Sequence, residues 1–378
     1  GGLVLATDRF NRILEIDEHN LIARAECGVI TAAFQDAVEK LDLFYPPDPA
    51  SIKISTLGGN VAECAGGLRA VKYGVTRDYV LGLTAVLPTG EIIRTGVETM
   101  KGVVGYDLTR LLIGSEGTLA VVTEVVVRLL PKPAYRKTMM AFFDTAAAAV
   151  ETVSAIIRSK IVPTALEFMD RTCIACVEKD VGLAAPEGTG ALLLIEVDGD
   201  RTLATKEAKR VKGICALQGA LEFRSAARHK DGEKLWEVRR NVSESVYKLR
   251  PDKLSEDIVV PRSRMAEFIV FLENLAGAYD LPIAAYGHAG DGNIHVNILF
   301  DGKISGQREK AEAAVRDLFP KVIAMRGTLS GEHGVGITKA PFIEMEISRP
   351  ALELMARLKK AFDPNGILNP GKIFPYRI

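Results

Sequence analysis

Two short motifs in the last third of the chain carry three of its five histidines. GHAGDGNIH supplies His288 and His295, and SGEHGVG supplies Glu332 and His333. Imidazole and carboxylate groups are typical ligands of a divalent metal, and a further imidazole can act as a base near neutral pH. Two imidazoles and one carboxylate leave coordination positions open, which is the pattern of a catalytic rather than a structural metal site. This ligand set suits zinc, manganese and iron(II) alike.

The segments around His288 and His295 are predicted to form a β-hairpin. Residues 283–288 and 294–300 are rich in apolar side chains, and AGDGN joins them as a turn. Alternate residues of a strand share a face, so His295 and Asn297 point into a cavity while the apolar residues between them pack on a helix layer. We expect His288 to lie near His295 across the pair, within reach of one ion. The alternative is that these histidines only form hydrogen bonds within a polar hairpin.

An arginine that suits an anionic substrate occurs in WEVRRN, on a predicted charged helix. The guanidinium of Arg239 can bind a carboxylate through two parallel hydrogen bonds, which a lysine cannot do. For Arg240 we expect a solvated position instead. Asn297, beside the predicted metal ligands, is a candidate for binding substrate oxygens. Lys253 and Asp257 are weaker candidates, and we expect both to be surface charges.

Glycine-rich segments in the first third of the chain suit close contact between backbone and ligand. TLGGN and AECAGG follow DPAS, and a second cluster begins with GSEGT. Glycine permits positive φ angles and lets backbone N–H groups approach a ligand. Neither cluster matches GxGxxG or GxxxxGK[ST], so Rossmann and P-loop sites are not indicated. The clusters favour a phosphate-bearing cofactor, with tight turns between strands as the alternative.

The composition describes an ordinary globular protein. Its 48 lysines and arginines balance 48 aspartates and glutamates, which gives no support to nucleic acid or an anionic membrane as partner. No apolar run approaches the ~18 residues that a transmembrane helix needs. The five cysteines are odd in number and scattered, which favours a reducing, cytoplasmic compartment. Cys173 and Cys176 are predicted to share one face of a helix rather than to bind metal.

The periodicity of the chain predicts an α+β protein. The predicted strands cover residues 79–87, 119–130 and 190–197, and the predicted helices cover residues 146–160, 203–218 and 351–362. We expect domains at residues 1–131 and 132–345, followed by a segment at residues 346–378 that returns to the first domain. GGLVLAT at the start reads as a strand without an initiator methionine. We therefore expect a fragment, whose missing beginning leaves room for a targeting peptide.

The order of the motifs resembles the FAD-linked 2-hydroxy-acid dehydrogenases, which belong to the vanillyl-alcohol-oxidase-like flavoproteins. The resemblance covers essentially the whole chain, and the members that oxidise glycolate or D-lactate are the most similar. Its motifs are PDPAS, TLGGNVAECAGG, KYGVTRD, VLPTGE, GSEGTLAVVTE, GHAGDGNIH, SGEHGVG and DPNGILNPGKIF. It implies a vanillyl-alcohol-oxidase-like FAD-binding domain and an α+β cap domain with an antiparallel sheet. In the family, a stretch with a glycine-rich loop around the FAD pyrophosphate precedes GGLVL, so we expect the N-terminal part of the FAD domain to be absent.

The resemblance also implies roles for individual residues. It places metal ligands at His288, His295 and Glu332, a catalytic base at His333, and the carboxylate-binding arginine at Arg239. The implied FAD contacts are Pro47, Asp48, Ser51, Gly58, Gly59, Asn60, Ala65, Gly66, Gly117, Thr118, Val122 and Asn369, the last reaching back from the C-terminal tail.

The implied activity is oxidation of a small D-2-hydroxy acid to the 2-oxo acid. A hydride passes to flavin N5 and the hydroxyl proton to His333, while a chelated divalent ion lowers the pKa of the hydroxyl. No cysteine-rich motif is present to hold an iron–sulfur cluster. Electrons are therefore expected to pass to a separate iron–sulfur subunit, an electron-transfer flavoprotein, a quinone or oxygen. The resemblance favours a protein partner, which would also account for any peripheral membrane attachment. A homodimer is compatible with this family.

Two other hypotheses use the same residues. A zinc hydrolase would activate water at the His/His/Glu set, although HExxH is absent and the glycine-rich region would then have no role. An inactive, folded fragment is the other hypothesis.

Overall fold

The structure is a computed structural model and describes residues 2–376, apart from the side chains of Lys179 and His229. It divides into two compact units. Unit 1 comprises Gly1–Arg69, Tyr73–Lys132 and Glu332–Ile378, and unit 2 comprises Ala70–Lys72 and Pro133–Gly331. The predicted domain limits at residues 131 and 345 are not tested by this division into two units and stay a prediction.

Strands and helices are interspersed along residues 2–376. The strands are β1 (Ile13–Asp17), β2 (Ile22–Glu26), β3 (Leu43–Phe44), β4 (Val80–Val86), β5 (Ile92–Gly96), β6 (Val121–Arg128), β7 (Leu130–Pro131), β8 (Tyr135–Phe143), β9 (Ala165–Asp170), β10 (Ala191–Gly199), β11 (Glu222–Ser225), β12 (Asp252–Val259), β13 (Ile283–His288) and β14 (Asn293–Phe300). The helices are α1 (Thr31–Glu39), α2 (Leu57–Glu63), α3 (Ala70–Tyr73), α4 (Leu108–Leu112), α5 (Ala146–Arg158), α6 (Arg171–Val181), α7 (Arg201–Leu217), α8 (His229–Ser245), α9 (Met265–Tyr279), α10 (Gln307–Ala324) and α11 (Arg349–Phe362).

The predicted elements are confirmed within a few residues at their ends. The predicted strands correspond to β4, β6 and β10, and the predicted helices correspond to α5, α7 and α11. The strand expected at GGLVLAT is wrong for residues 2–7, which form neither helix nor strand, and Gly1 lies outside the described residues. Helices together with antiparallel sheets confirm the α+β class.

Unit 1 is built on a five-stranded antiparallel sheet in the order β1-β2-β6-β4-β5, beside a small β3-β7 pair. Val125 and Val127, alternate residues of β6, are buried in its core, as expected for a sheet with one face on a core. Phe34 and Val38 of α1 lie one helical turn apart and are buried in the same core. Phe362, at the end of α11, packs against this core and so attaches the C-terminal segment to unit 1.

Unit 2 is built on a seven-stranded antiparallel sheet in the order β11-β8-β10-β9-β13-β14-β12. Residues 191–195 of β10 are all completely buried, and helices α5, α7 and α8 contact this strand. Such a continuous apolar run is typical of a strand covered on both faces. In β14 the residues Ile294, Val296 and Ile298 are also fully buried, which leaves the alternate residues for the opposite face of the sheet.

The cysteines are all free and buried. Cys173 and Cys176 lie three residues apart on α6, which confirms that they share a helical face. Among residues 2–376, no helix combines the length and the apolar character that crossing a membrane requires.

Candidate metal and substrate site

Four neighbouring strands of unit 2, β9, β13, β14 and β12, place polar side chains on one face of the sheet, here called the polar face. Residues directly opposite each other in an antiparallel pair project to the same face. The register pairs Glu167 with His288 and Asp257 with His295. His288 also pairs with Asn293, two residues before His295, so both histidines lie on the polar face. Their ring centroids are 5.2 Å apart, which confirms the expected closeness of the two imidazoles.

His288 is buried, and its ring has a carboxylate partner. The Nδ1 atom lies 2.7 Å from Oε1 of Glu167. When Nδ1 carries the proton towards this carboxylate, the lone pair of the neutral ring lies on Nε2. Metal-binding histidines commonly donate their other ring N–H to a carboxylate in this way. The surroundings of His288 therefore fit a metal ligand.

Arg239 reaches the polar face from helix α8. Its Nε donates to Oε2 of Glu167 at 2.7 Å, and its guanidinium lies 4.7 Å from the centre of the Tyr286 ring. Among the described residues, the two Nη atoms of this buried arginine have no hydrogen-bond partner, so they fit a carboxylate ligand. Burial raises the pKa of Glu167, but its interactions with His288 and Arg239 outweigh burial and lower that pKa to about 2.

Asp257 is completely buried, so the expectation of a surface charge was wrong. Its Oδ1 accepts a hydrogen bond from Nδ2 of Asn293 at 2.6 Å and lies 3.5 Å from Nδ1 of His295. Its Oδ2 accepts the backbone N–H of Gly331 at 2.9 Å. The reason is the alternation of β12, which turns Asp257 to the polar face. Asp257 thus lies beside His295, and its bond to Gly331 fixes the residue that precedes Glu332.

The other predicted polar residues of unit 2 differ in exposure. Asn297 is completely buried, and its Oδ1 accepts a hydrogen bond from Ser255 Oγ at 3.0 Å. Lys253 is half-buried rather than a surface charge, and burial lowers its pKa. Arg240 is exposed and forms an ion pair with Glu233 at 2.7 Å, which confirms its solvated position.

Glu332 and His333 belong to unit 1, in a segment without helix or strand. Glu332 is half-buried, and its Oε2 lies 2.9 Å from the position that a Cβ on Gly66 would occupy. A side chain larger than hydrogen at Gly66 would therefore displace the Glu332 carboxylate. His333 is exposed.

Glu116 holds the residues that follow His333. Its two carboxylate oxygens accept the backbone N–H groups of Val335 and Gly336 at 2.7 and 2.8 Å. The carbonyl of Glu116 accepts a hydrogen bond from the side chain of Asn369. One residue of the GSEGT segment thus contacts both the SGEHGVG loop and the C-terminal tail within unit 1.

The TLGGN segment forms the start of a helix rather than a tight turn. Thr56 precedes α2, and its side-chain oxygen accepts the N–H of Gly59 at 3.1 Å. Gly58 and Gly59 lie inside α2 and have no positive φ. Asn60 is buried and donates to Oγ1 of Thr31 at 2.8 Å, so its side chain stabilises unit 1 internally.

The remaining implied FAD contacts lie around the two glycine clusters. Gly67 has φ +133°, and a Cβ there would lie 2.3 Å from the carbonyl oxygen of Asp48, so only glycine fits. At Gly117, which has φ +65°, an added Cβ would lie in van der Waals contact with Nδ2 of Asn369 at 3.9 Å, so two of the implied flavin contacts lie side by side. Of the others, Pro47, Asp48, Gly66 and Thr118 are buried, Ala65 and Val122 are half-buried, and Ser51 and Asn369 are exposed.

Two glutamates at these sites were not singled out from the sequence. Glu167 was missed, although an acidic residue inside the otherwise apolar run ALEFM is a signal of a buried polar partner. Glu116 lies in the quoted GSEGT motif, but its contacts with residues more than 200 positions later have no sequence signature.

Comparison with known proteins identifies the family. Residues 132–373 match the family described as "FAD linked oxidases, C-terminal domain", and residues 1–96 match "FAD binding domain". The chain is 46% identical over 374 residues to glycolate oxidase subunit GlcD of Bacillus subtilis, covering 99% of this chain and 80% of the relative. It is 35% identical over 382 residues to D-lactate dehydrogenase of Anaerostipes hadrus, with 99% and 80% covered.

Solved structures share the fold at lower identity. p-Cresol methylhydroxylase superposes with a TM-score of 0.79 at 18% identity, covering 97% of this chain and 78% of that one. 4-Ethylphenol oxidase from Gulosibacter chungangensis gives a TM-score of 0.74 at 19% identity, covering 98% and 80%. These likenesses confirm the vanillyl-alcohol-oxidase-like fold. By its two matched regions and its curated relatives, the chain belongs to the FAD-linked oxidase family.

Proposed function

We propose that this chain oxidises a small D-2-hydroxy acid, glycolate or D-lactate, to the 2-oxo acid with the help of FAD and a divalent metal. The names of the relatives support the substrate class, since they include a glycolate oxidase subunit and a D-lactate dehydrogenase. The observation that carries the proposal is the polar face of unit 2, where two neighbouring imidazoles accompany a buried arginine.

The proposed metal ligands are His288, His295 and Glu332. Nδ1 of His288 is hydrogen-bonded to the Glu167 carboxylate, which favours Nε2 as its ligand atom. Nδ1 of His295 lies 3.5 Å from Oδ1 of Asp257. Glu332 follows Gly331 directly in the chain, and the Gly331 amide is bonded to Asp257 beside His295. Chain continuity therefore supports Glu332 as the third ligand. Zinc, manganese and iron(II) all accept such a set.

The substrate is proposed to bind through its carboxylate to the Nη atoms of Arg239, with Asn297 contacting its other oxygens. A metal ion held by these residues would lower the pKa of the α-hydroxyl, and FAD would supply the hydride acceptor. His333 is the proposed acceptor of the hydroxyl proton, because its exposed imidazole can pass that proton on to solvent. Arg239 holds the α-carbon in one orientation during that transfer.

The proposed FAD site lies in unit 1. Gly117 and the side chain of Asn369 lie side by side in unit 1, which supports their role as flavin contacts. The glycine-rich segments before them, with Asp48, Ser51, Gly59 and Ala65, are proposed to contribute further contacts.

The electrons are proposed to leave through a partner protein. Two relatives are named as subunits of glycolate oxidase, which supports an assembly. The partner we infer is an iron–sulfur subunit or an electron-transfer flavoprotein. Buried free thiols support a cytoplasmic location, with any membrane attachment made through that partner.

An anaerobic visible spectrum tests this function. Glycolate or D-lactate is added to the FAD-loaded protein, with and without a chelator. We expect the flavin band to bleach and the chelator to prevent bleaching. A bound flavin that stays oxidised with both acids would contradict the substrate class, and bleaching that the chelator leaves unchanged would contradict the metal.

A further inference from the structure

Glu167 contacts the two groups that the proposed reaction needs on the polar face. Its Oε1 lies 2.7 Å from Nδ1 of His288, and its Oε2 lies 2.7 Å from Nε of Arg239. We propose that Glu167 is a positioning residue that couples the metal ligand His288 to the carboxylate-binding Arg239. This inference rests on the proposed function and adds Glu167, a residue that the proposed function does not use.

On the histidine side, Glu167 selects one tautomer. A carboxylate accepts hydrogen bonds but cannot donate them when ionised, so the facing Nδ1 must carry a proton. The neutral ring then has its lone pair on Nε2, where a metal can bind. Without the carboxylate, the ring is free to place its proton on Nε2, and that tautomer does not bind a metal through the same atom.

On the arginine side, Glu167 accepts a hydrogen bond from Nε of Arg239 and leaves the two terminal Nη nitrogens for the substrate carboxylate. Arg239 also stacks over the ring of Tyr286, so its guanidinium plane is held at two points. The two Nη atoms then present a fixed fork, which is the geometry that a substrate carboxylate binds best. Loss of Glu167 removes one of the two points and loosens the fork.

The burial of Glu167 explains why one residue serves both groups. It is completely buried, and a buried carboxylate costs free energy unless it is paired and hydrogen-bonded. Each oxygen has its own donor, from β13 on one side and α8 on the other. The proposed metal ligand His288 and the proposed substrate-binding Arg239 are thus held by one carboxylate. A displacement of either residue would therefore displace the other.

Glu196 provides a matched control in the same sheet. It is also a buried glutamate contacted from α8, but one oxygen, Oε2, accepts both its bonds, from Thr138 Oγ1 at 2.8 Å and Trp236 Nε1 at 3.0 Å. In Glu196→Gln, the single amide oxygen can keep both bonds. In Glu167→Gln, one of the two donors must face an amide NH2 group instead.

The experiment compares Glu167→Gln, Glu196→Gln and the parent chain. Zinc affinity is measured by competition with a chelating dye, the cobalt(II) visible spectrum reports the ligand geometry, and glycolate kinetics separate KM from kcat. We expect Glu167→Gln to bind zinc about 10- to 100-fold more weakly and to change the cobalt spectrum. We expect its KM to rise about tenfold, as for the loss of one hydrogen bond to a charged group. Glu196→Gln should match the parent.

The outcomes separate the inference from the proposed function. A parent chain that binds no zinc or cobalt overturns the metal and this inference together. A parent that binds metal, with Glu167→Gln equal to Glu196→Gln in zinc affinity and KM, overturns the positioning role alone. If Glu167→Gln does not fold, Glu167→Asp keeps the charge but shortens the side chain, and it must show the same weakening of zinc affinity. Unchanged zinc affinity and KM in that variant also overturn the role.

Discussion

Asp257 lies directly opposite His295 in the β12–β14 pair, with its Oδ1 3.5 Å from Nδ1 of the ring. The same carboxylate binds the side chain of Asn293 and the backbone of Gly331. A single buried residue therefore connects a predicted metal ligand to the turn of its own hairpin and to the residue before Glu332.

Replacing Asp257 should weaken metal binding and the fold together. In Asp257→Asn the negative charge beside His295 is lost, and we expect zinc affinity to fall about tenfold or more. The asparagine amide has one oxygen, whereas both carboxylate oxygens of Asp257 accept hydrogen bonds, from Asn293 and from Gly331. The free energy of unfolding should therefore fall by about 1–3 kcal/mol. Dye competition and denaturant unfolding measure the two effects. Asp252→Asn, on the same strand but half-buried, is the control and should leave zinc affinity unchanged.

His333→Ala should abolish turnover while leaving metal and FAD bound. The imidazole is exposed, so its removal should change the free energy of unfolding by no more than about 0.5 kcal/mol. Anaerobic flavin reduction by glycolate, with metal content measured on the same sample, checks both statements. His19→Ala, another exposed histidine of unit 1, should reduce flavin at the parent rate. Equal rates in the two variants would remove His333 from the mechanism.

Arg239→Lys should impair substrate binding more than Arg240→Lys. A lysine at 239 has one nitrogen, which cannot bind Glu167 and present a fork to a carboxylate at once. We expect KM for glycolate to rise about tenfold or more, which corresponds to about 1.4 kcal/mol. Arg240 is exposed and pairs with Glu233 on its own helix, so its change should be neutral. Steady-state kinetics on both variants make the comparison, and equal KM values would place the carboxylate elsewhere.

Asp363 should make the stability of the C-terminal tail depend on pH. Burial raises its pKa, but Lys359 and the amides of Leu368 and Ile367 outweigh this and hold it below the ordinary value of 3.8. A lowered folded pKa means that this contribution is fully present above pH 3.8 and is lost as pH falls through the folded pKa. At pH 7, Asp363→Asn should therefore unfold more easily, by about 1–3 kcal/mol. In denaturant unfolding the gap between variant and parent should shrink below pH 3.8; a constant gap would contradict the linkage.

Periodicity sufficed for the long elements of the fold but not for the partners across strands. The alternation in β14 correctly separated His295 and Asn297 from the apolar residues between them, and the hairpin brought His288 close. Glu167 was not predicted as a site residue, because its partner His288 lies 121 positions later in the chain. No local sequence pattern shows which strands become neighbours. Asp257 was misjudged because a charged strand reads as exposed, whereas the register places it opposite a buried histidine.

The proposed FAD contacts were found through motif resemblance rather than through backbone geometry. The TLGGN segment reads as a turn because of its paired glycines, yet Thr56 caps a helix there. Gly67 does use a positive φ, and Asp48 lies against it. Local glycine content thus indicates where another group lies close to the backbone. It does not indicate whether that group belongs to a ligand or to the protein itself.

The polar face draws its side chains from β9, β12, β13 and β14, strands that are adjacent in the sheet but interrupted in the chain by helices α6 to α9. During synthesis, Glu167 emerges long before the β13–β14 hairpin that completes its surroundings, so a chain that ends before this hairpin lacks the proposed ligands His288 and His295. The pairing of β9 with β13 joins residues more than 100 positions apart, and such long-range pairing slows folding. A metal that binds only the finished sheet then stabilises unit 2 by mass action, and its availability in the cell would set how much of the nascent protein survives proteolysis.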